Sequence, residues 1–229
     1  MSIIIMEPLT AGKVPSVRII QESFASGKGL RGRTLRDLLE GSYSGQAPQG
    51  WYRDPDISMD VAQVFIHRPS GTAVVAHRGT EAEWSDWYNN AKFAGSDKAY
   101  KNTNRFADGK KVQRAAEQKY GTEKVITVGH SQGGLLAELL GRKSKEVITL
   151  NKATKPQQGF FGSAKGRNKN QFDIRSSRDV VSMWGKSSEG KKNYYEIPAK
   201  GMNLLKEHSY DILLRKKNRV FGRKDSIVI

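Results

Sequence analysis

The chain of 229 residues contains no cysteine. Disulfide-stapled folds, thiolate zinc sites, iron–sulfur clusters and cysteine nucleophiles are therefore excluded. Long apolar runs are also absent, since none approaches the roughly 18–20 residues that a membrane-spanning helix requires. The early run Ile3-Ile4-Ile5-Met6 has no basic flank and is too short for a secretory signal, so we interpret it as a strand or an attached arm. The absence of cysteine, of a membrane-spanning run and of a secretory signal is consistent with a cytoplasmic protein and also with one exported without a cleaved signal.

Acidic residues are scarce. The chain has 23 Asp and Glu against 39 Lys and Arg, which gives a formal net charge of +16. Such a surplus attracts phosphate-rich partners, either nucleic acid or anionic lipid, and charge alone does not separate the two. The most concentrated basic run extends from Leu214 to Lys224, and its composition is typical of a solvated or disordered terminus.

The apolar pattern predicts a single α/β domain over residues 1–229, with a loosely patterned segment at 1–55 and a basic tail at 214–229. A hairpin is predicted where Arg68-Pro69-Ser70-Gly71 separates two β-rich runs. Later strands alternate with helices, which favours a mostly parallel central sheet with helices on both faces. The predicted strands are 61–67, 72–77, 125–128, 147–150 and 172–175, and the predicted helices are 34–40, 105–120 and one beginning near 135. The first helix is expected to lie between Gly32 and Gly41, after a basic loop at 27–33.

The strongest local signal is Gly129-His130-Ser131-Gln132-Gly133, which follows the apolar run Val125-Ile126-Thr127-Val128 and precedes a helix. A serine on such a strand-to-helix turn presents its hydroxyl as a nucleophile, and flanking glycines allow the backbone to approach closely. The alternative is a glycine-rich turn without chemistry. The strand–turn–helix context favours the nucleophile, in an α/β-hydrolase-like fold.

A serine nucleophile needs a base. The histidines of the chain are His67, His77, His130 and His208. In this fold class the triad runs serine, acid, histidine along the chain, and His208 is the only histidine that follows Ser131. We therefore expect His208 to be the base.

The acid that orients the base should lie between Ser131 and His208. The candidates are Glu138, Glu146, Asp173, Asp179, Glu189, Glu196 and Glu207. Asp173 lies inside a predicted strand, whereas Asp179 lies just beyond its end, where active-site groups collect in such sheets. Asp179 is the preferred acid and Asp173 the alternative. Each has a plainer role open to it, as an ion-pair partner of Arg175 or Arg178.

Two backbone N–H groups are candidates for an oxyanion hole. The helix after Ser131 begins with Gln132, whose N–H points toward the developing negative charge. A second donor is expected from the loop after an earlier strand, and Thr80 in His77-Arg78-Gly79-Thr80 has both an N–H and a hydroxyl to offer. A plain turn at Gly79 is the alternative reading of that loop.

Taken in order, these motifs resemble the class 3 lipases, the fungal-type triacylglycerol lipase family. The matching segments are His77-Arg78-Gly79-Thr80, Asp86-Trp87, Gly129 to Gly134, Arg178-Asp179-Val180-Val181 and His208-Ser209. The resemblance covers residues 60 to 210. It implies a triad of Ser131, Asp179 and His208, an oxyanion hole from Thr80 and Gln132, and a lid at about 81–99.

The sequence departs from the family pattern in three ways. His77 stands in place of a phenylalanine, Gln132 in place of a leucine, and the chain is shorter than typical members, which implies a trimmed fold. Gln132 keeps its backbone donor but makes the pocket more polar, which suits triglyceride less well.

Two functions follow. The first is a lipid esterase, either a triacylglycerol lipase or a phospholipase A-type enzyme, which needs no cofactor and meets its substrate at an anionic membrane surface. The second is a binding protein on an inactive hydrolase scaffold, which holds membrane or nucleic acid through its charge. Oligomeric state, acyl-chain preference and positional preference are not encoded in these motifs.

Overall fold

The computed structural model describes residues 29–80, 100–153, 169–182 and 193–221. The strands are β1 (Leu30–Arg31), β2 (Tyr52–Arg53), β3 (Ala62–His67), β4 (Thr72–His77), β5 (Val125–His130), β6 (Glu146–Leu150), β7 (Gln171–Ser176), β8 (Tyr194–Ile197) and β9 (Val220–Phe221). The helices are α1 (Gly32–Ser44), α2 (Asn104–Tyr120), α3 (Gln132–Leu140) and α4 (Leu204–His208), with 3-10 helices at Gly141–Lys143 and Tyr210–Lys216.

The central sheet has seven strands, which lie side by side in chain order from β2 to β8. The β2–β3 and β3–β4 pairs are antiparallel, and the second of these is the predicted hairpin. From β4 to β8 every neighbouring pair is parallel. The prediction of a mostly parallel α/β sheet is confirmed, and the architecture is α/β-hydrolase-like. The carboxyl ends of β5, β6 and β7 therefore meet at one edge of the sheet, which is where such folds carry their sites.

Helices cover both faces of this sheet, as predicted. Side chains of a strand point alternately to opposite faces, and β4 feeds one core with Val74 and Ala76 and the other with Ala73 and Val75. The first core is closed by Leu35, Leu38 and Leu39 of α1 and by Ile212 and Leu213. The second is closed by Phe106 and Val112 of α2 and by Leu135 and Leu136 of α3.

Helix α1 is longer than predicted, because Gly32 and Gly41 lie within it and do not bound it. Both glycines allow close packing: a Cβ on Gly32 would lie 2.6 Å from the carbonyl oxygen of Lys216, and one on Gly41 would lie 2.5 Å from that of Gln46. The helix ends at Gly45, whose φ of 72° suits a glycine. The four residues added at its C-terminal end, about one turn, put Tyr43 on the helix, next to the candidate site.

The basic run that begins at Leu214 was predicted to be a solvated or disordered terminus. Leu214, Lys216, Lys217 and Asn218 are exposed, which agrees with a solvated segment. The described part of the run nevertheless has regular structure, because it continues a 3-10 helix and ends in β9, where Val220 and Phe221 are buried. Strand β9 pairs with β1, Leu30 opposite Phe221, so part of the predicted loop at 27–33 is also a strand. Apolar residues between the lysines and arginines draw this segment onto the sheet.

Several predictions fall outside the described residues. They concern the run at 3–6, residues 27 and 28 of the glycine-rich loop, the lid segment at 81–99, the loop residues at 155–168 and the end of the basic run after 221. Among the helices in the described ranges, none has both the length and the apolarity to cross a bilayer.

Candidate active site

Ser131 lies on the turn between β5 and α3 with φ 56° and ψ −125°. A non-glycine residue adopts such angles only under strain, and the surrounding hydrogen bonds must hold it there. The N–H of Ser131 donates to the carbonyl of Leu150 at 3.1 Å, and its own carbonyl accepts the N–H groups of Gly134 and Ala153, each at 3.0 Å. The turn has the strained geometry that presents a nucleophilic hydroxyl above a sheet.

The two glycines that flank this serine are required by packing. A Cβ on Gly129 would lie 2.1 Å from the carbonyl oxygen of Gly133, and one on Gly133 would lie 2.1 Å from that of His77. Both contacts are with backbone, which cannot move aside. The glycine spacing in the sequence thus reflects the close crossing of β5, α3 and the end of β4.

His208, at the end of α4, has its Nδ1 atom 2.7 Å from Oδ1 of Asp179. The Asp179 side chain is fully buried. Its other oxygen accepts the N–H of Ser182 at 2.9 Å, which fixes the carboxylate in the turn after β7. Because an ionised carboxylate only accepts hydrogen bonds, Nδ1 carries the proton in neutral His208 and Nε2 is left unprotonated. That tautomer is the one a general base requires.

Asp173, the alternative acid, belongs to a different group of side chains. Its Oδ1 accepts hydrogen bonds from Thr149 at 2.5 Å, Gln171 at 2.8 Å and Lys152 at 3.3 Å. Lys152 also donates to Glu138 at 2.5 Å. The carboxylate beside His208 is that of Asp179.

His130, which precedes Ser131, lies against His208, with ring centroids 4.8 Å apart. Its Nε2 donates to the carbonyl oxygen of His208 at 2.6 Å. Burial, and next the neighbouring His208, lower the pKa of His130 to about 3. A neutral ring that donates from Nε2 must accept at Nδ1, so the hydroxyl of Tyr43, 3.0 Å away, donates to it.

Asn151 also holds the backbone of the candidate base. It follows β6 in a left-handed conformation with φ 44°, which asparagine tolerates better than most residues. Its Nδ2 donates to the carbonyls of Glu207 and His208 at 2.9 and 2.8 Å, and its Oδ1 accepts the N–H of Ser176 at 2.8 Å. One buried side chain therefore joins the ends of β6 and β7 to α4.

The loop from Arg78 to Thr80 runs beside Ser131, since a Cβ on Gly79 would come within 3.1 Å of the serine Cβ. Arg105 of α2 donates to the carbonyl oxygens of Arg78 and of Gly79, the latter at 3.0 Å. In a trans peptide the carbonyl and the following N–H point in opposite directions, so the N–H of Thr80 points away from Arg105. The Thr80 hydroxyl donates to Oε1 of Gln132 at 3.3 Å, which links the two predicted oxyanion donors.

Glu207, the neighbour of His208, anchors the same segment. It is buried and paired with Arg215 through two hydrogen bonds of 2.9 Å. It also accepts from the hydroxyl of Ser176 and, at 3.1 Å, from the N–H of Lys200. The Arg215 guanidinium is the main reason that the pKa of Glu207 falls to about 2.

Sequence reasoning missed three residues of this site, Tyr43, Arg105 and Asn151, and it named Glu207 only as a candidate acid. Asn151 had a usable signal, because a polar residue directly after a buried parallel strand often belongs to a site. Tyr43 and Arg105 had none, since each acts through contacts distant in the chain. In the described ranges no group of three His, Asp or Glu side chains could hold a metal ion.

Comparison with known proteins gives only distant similarity. No family model matches the sequence, and no curated protein matches it. An MDLA mutant from Penicillium cyclopium is 15% identical with a TM-score of 0.43, each chain being 83% covered. A triacylglycerol lipase from Penicillium expansum is 18% identical with a TM-score of 0.45, each chain being 82% covered.

Proposed function

We propose that this protein is a serine carboxylic-ester hydrolase that acts on lipid esters, with Ser131 as nucleophile, His208 as base and Asp179 as orienting acid. The observation that carries the proposal is the 2.7 Å contact between Nδ1 of His208 and the buried Asp179, which puts the proton of the neutral ring on Nδ1 and makes Nε2 the basic nitrogen. The strained turn at Ser131 supports it independently.

The reaction has two halves. Oγ of Ser131 attacks the ester carbonyl carbon while Nε2 of His208 takes the hydroxyl proton. The tetrahedral oxyanion is stabilised by the N–H groups of Gln132 and Thr80. The ester C–O bond then breaks, and His208 returns its proton to the leaving alcohol. Water attacks the acyl-enzyme with the same proton transfers, which releases the acid and restores Ser131.

Asp179 and the groups around it are suited to the positive charge that develops on His208 during the reaction. The carboxylate stabilises the imidazolium of His208 without itself taking the proton. His130 stays neutral over the working pH range, because its pKa is about 3, and so holds the His208 carbonyl without adding positive charge. The proposed reaction uses these side chains alone.

A lipid substrate follows from the class 3 lipase motifs, and an anionic membrane surface follows from the net charge of +16. A phospholipid ester fits that charge and the polar Gln132 better than a neutral triglyceride droplet does. Salt is the direct test of the surface: hydrolysis of anionic phospholipid vesicles should weaken steeply as ionic strength rises. A flat response would contradict electrostatic docking.

The nucleophile is tested by fluorophosphonate labelling of the intact protein, followed by mapping of the labelled peptide. We expect the label on Ser131, loss of labelling and of p-nitrophenyl ester turnover in Ser131→Ala, and no loss in the hairpin control Ser70→Ala. A folded protein that resists the probe would contradict the hydrolase proposal and favour the inactive binding scaffold.

A further inference from the structure

Large apolar side chains that lie in solvent are concentrated next to the candidate base. Met202 is 85% exposed, Leu205 66% and Leu204 44%. Only two other large hydrophobic residues of the described ranges are comparably exposed, Tyr52 and Leu214. Single exposed apolar residues are ordinary, whereas a cluster indicates a surface that meets an apolar partner.

We infer that residues 198–206, the docking segment, form the surface through which the protein binds an anionic lipid bilayer. The inference rests on the proposed function, because it places the bilayer beside the same site. It specifies which side of the molecule faces the lipid.

The backbone of the docking segment is held in place. The N–H of Ala199 donates to Oγ of Ser177 at 2.9 Å, and the N–H of Lys200 donates to Glu207 at 3.1 Å. Arg215 donates to the carbonyl of Pro198 at 3.2 Å. The apolar side chains thus project from a segment whose backbone is anchored to the domain, and the side chains themselves remain exposed to water.

The charged residues of the docking segment have one sign. Lys200 and Lys206 are exposed, and residues 198–206 contain no Asp or Glu. Arg178, also exposed, reaches the carbonyl of Gly201 at 3.5 Å. The adjacent acids Asp179 and Glu207 are buried and are occupied by His208 and Arg215. Cations around an apolar cluster are the pattern of an interface with anionic lipid, in which side chains enter the acyl region and lysines meet the headgroups.

A nucleic acid fits this surface less well. Phosphates would meet the lysines, but a duplex offers little to three aliphatic side chains. The position of the apolar side chains also favours a lipid partner, because Leu204 and Leu205 lie on the same helix, α4, as His208. At a rise of about 1.5 Å per residue, Leu205 and His208 are only about 4.5 Å apart along the helix axis. A bilayer that receives Leu205 therefore meets the protein beside its base.

The test compares the full-length wild type with the double variant Met202→Asp/Leu205→Asp. Each is assayed on vesicles of equal parts phosphatidylglycerol and phosphatidylcholine and on p-nitrophenyl acetate in solution. The readout is the ratio of the two rates, which corrects for the amount of folded site. We expect the ratio to fall about tenfold or more, since two apolar contacts are replaced by charges that the lipid repels. The control Tyr52→Asp, on β2 at the opposite edge of the sheet, should keep the wild-type ratio.

Binding is measured separately from turnover, by co-sedimentation of the Ser131→Ala protein with the same vesicles. Adding Met202→Asp/Leu205→Asp, or Lys200→Glu/Lys206→Glu, to Ser131→Ala should each weaken binding about tenfold, the latter only at low salt. This arm needs no activity, so a protein that binds vesicles but hydrolyses no ester would end the proposed function and leave the docking segment standing. Wild-type binding by both variants, an equal loss in Tyr52→Asp, or loss of duplex DNA binding in place of vesicle binding would overturn the inference.

Discussion

The hydroxyl of Tyr43 lies 3.0 Å from Nδ1 of His130, and the same oxygen accepts the N–H of Gly79 at 3.1 Å. A single side chain of α1 thereby joins the loop from Arg78 to Thr80 to the histidine that precedes Ser131. His130 extends the connection to the carbonyl of His208. The loop that carries the proposed oxyanion donor and the segment that carries the proposed base are therefore connected through one hydroxyl.

Replacing Tyr43 by phenylalanine should lower ester turnover without unfolding the protein. The change leaves the N–H of Gly79 and Nδ1 of His130 without a partner, and each buried unpaired group costs about 1–3 kcal/mol. Burial raises the pKa of Tyr43 to about 12, so its hydroxyl is protonated and donating at any working pH. We expect kcat/KM for a p-nitrophenyl ester to fall about tenfold to a hundredfold, because His208 and Gly79 shift from their positions when the groups that hold them lose their partner.

The matched control is Tyr120→Phe, which removes a hydroxyl that donates to Asp54, at 2.5 Å, away from the site. Its kinetics should stay within about twofold of wild type, as for most changes away from special features. Unchanged kinetics in Tyr43→Phe would show that the hydroxyl does not position the reacting groups.

Arg105 should matter for kcat more than for KM. Its guanidinium holds the carbonyls of Arg78 and Gly79, and so turns the N–H of Thr80 away from α2. Arg105→Ala releases that peptide, and loss of one oxyanion donor costs about a hundredfold to a thousandfold in kcat. We expect a fall toward the lower end, measured by steady-state kinetics on a soluble ester, with KM nearly unchanged because the donor acts in the transition state.

Arg114→Ala on the same helix is the control, because it removes one positive charge at an exposed position. Arg105→Lys should recover part of the rate by restoring one charged donor. An Arg105→Ala protein that raises KM and leaves kcat intact would show that Arg105 serves substrate binding and does not position a donor at Thr80.

The turn at Ser131 and the parallel sheet could be predicted from sequence because their signals are local. Gly129 and Gly133 sit within one strand–turn–helix, and the hairpin before it is marked by Pro69 and Gly71. The pairing of β1 with β9 could not be predicted, because it joins residues near opposite ends of the described chain.

The supporting contacts of the site were hidden for the same reason. Tyr43 reaches His130 across 87 positions, and Arg36 of α1 reaches Asp211 across 175. Nothing in the composition around Tyr43 separates it from an ordinary helix residue. Gly32 and Gly41 were misleading, since glycine in a sequence suggests a helix end and here allows close packing within the helix.

Stability in acid should depend on Glu207. Its pairing with Arg215 lowers its pKa from 4.5 to about 2. A depressed carboxyl pKa contributes stability above the unfolded value, and that contribution is lost as pH falls from about 4.5 to about 2. Glu207→Gln should lower the free energy of unfolding at pH 7 by on the order of 2 kcal/mol. It should also flatten the acid dependence within that window, as measured by urea unfolding.

Asp37→Asn is a suitable comparison, because this carboxylate is partly exposed and, among the described residues, pairs only with its neighbour Arg36. Exposed pairs contribute about 0–1 kcal/mol, so both its stability and its acid slope should stay near wild type. A Glu207→Gln variant with an unaltered acid slope would contradict the assigned pairing.

His77 offers a test with the opposite result, a substitution that stabilises. The residue is fully buried, and no hydrogen-bond partner for its Nδ1 lies among the described residues. Burial lowers its pKa from 6.5 to about 4. Between those values the unfolded chain binds a proton that the folded protein does not, so the free energy of unfolding must fall as pH drops from 6.5 to 4.

His77→Phe removes both the unpaired nitrogen and the titration. Its effect on Gln113 should be small, because Oε1 of Gln113 still accepts from Thr127 at 3.2 Å. We expect equal or greater stability at pH 7 and an advantage that grows by about 2–3 kcal/mol on acidification to pH 4. Urea unfolding of both proteins across this range measures the difference directly. Parallel stability curves would show that the histidine binds a proton in the folded protein as readily as in the unfolded chain. That result would contradict the lowered pKa assigned to its burial.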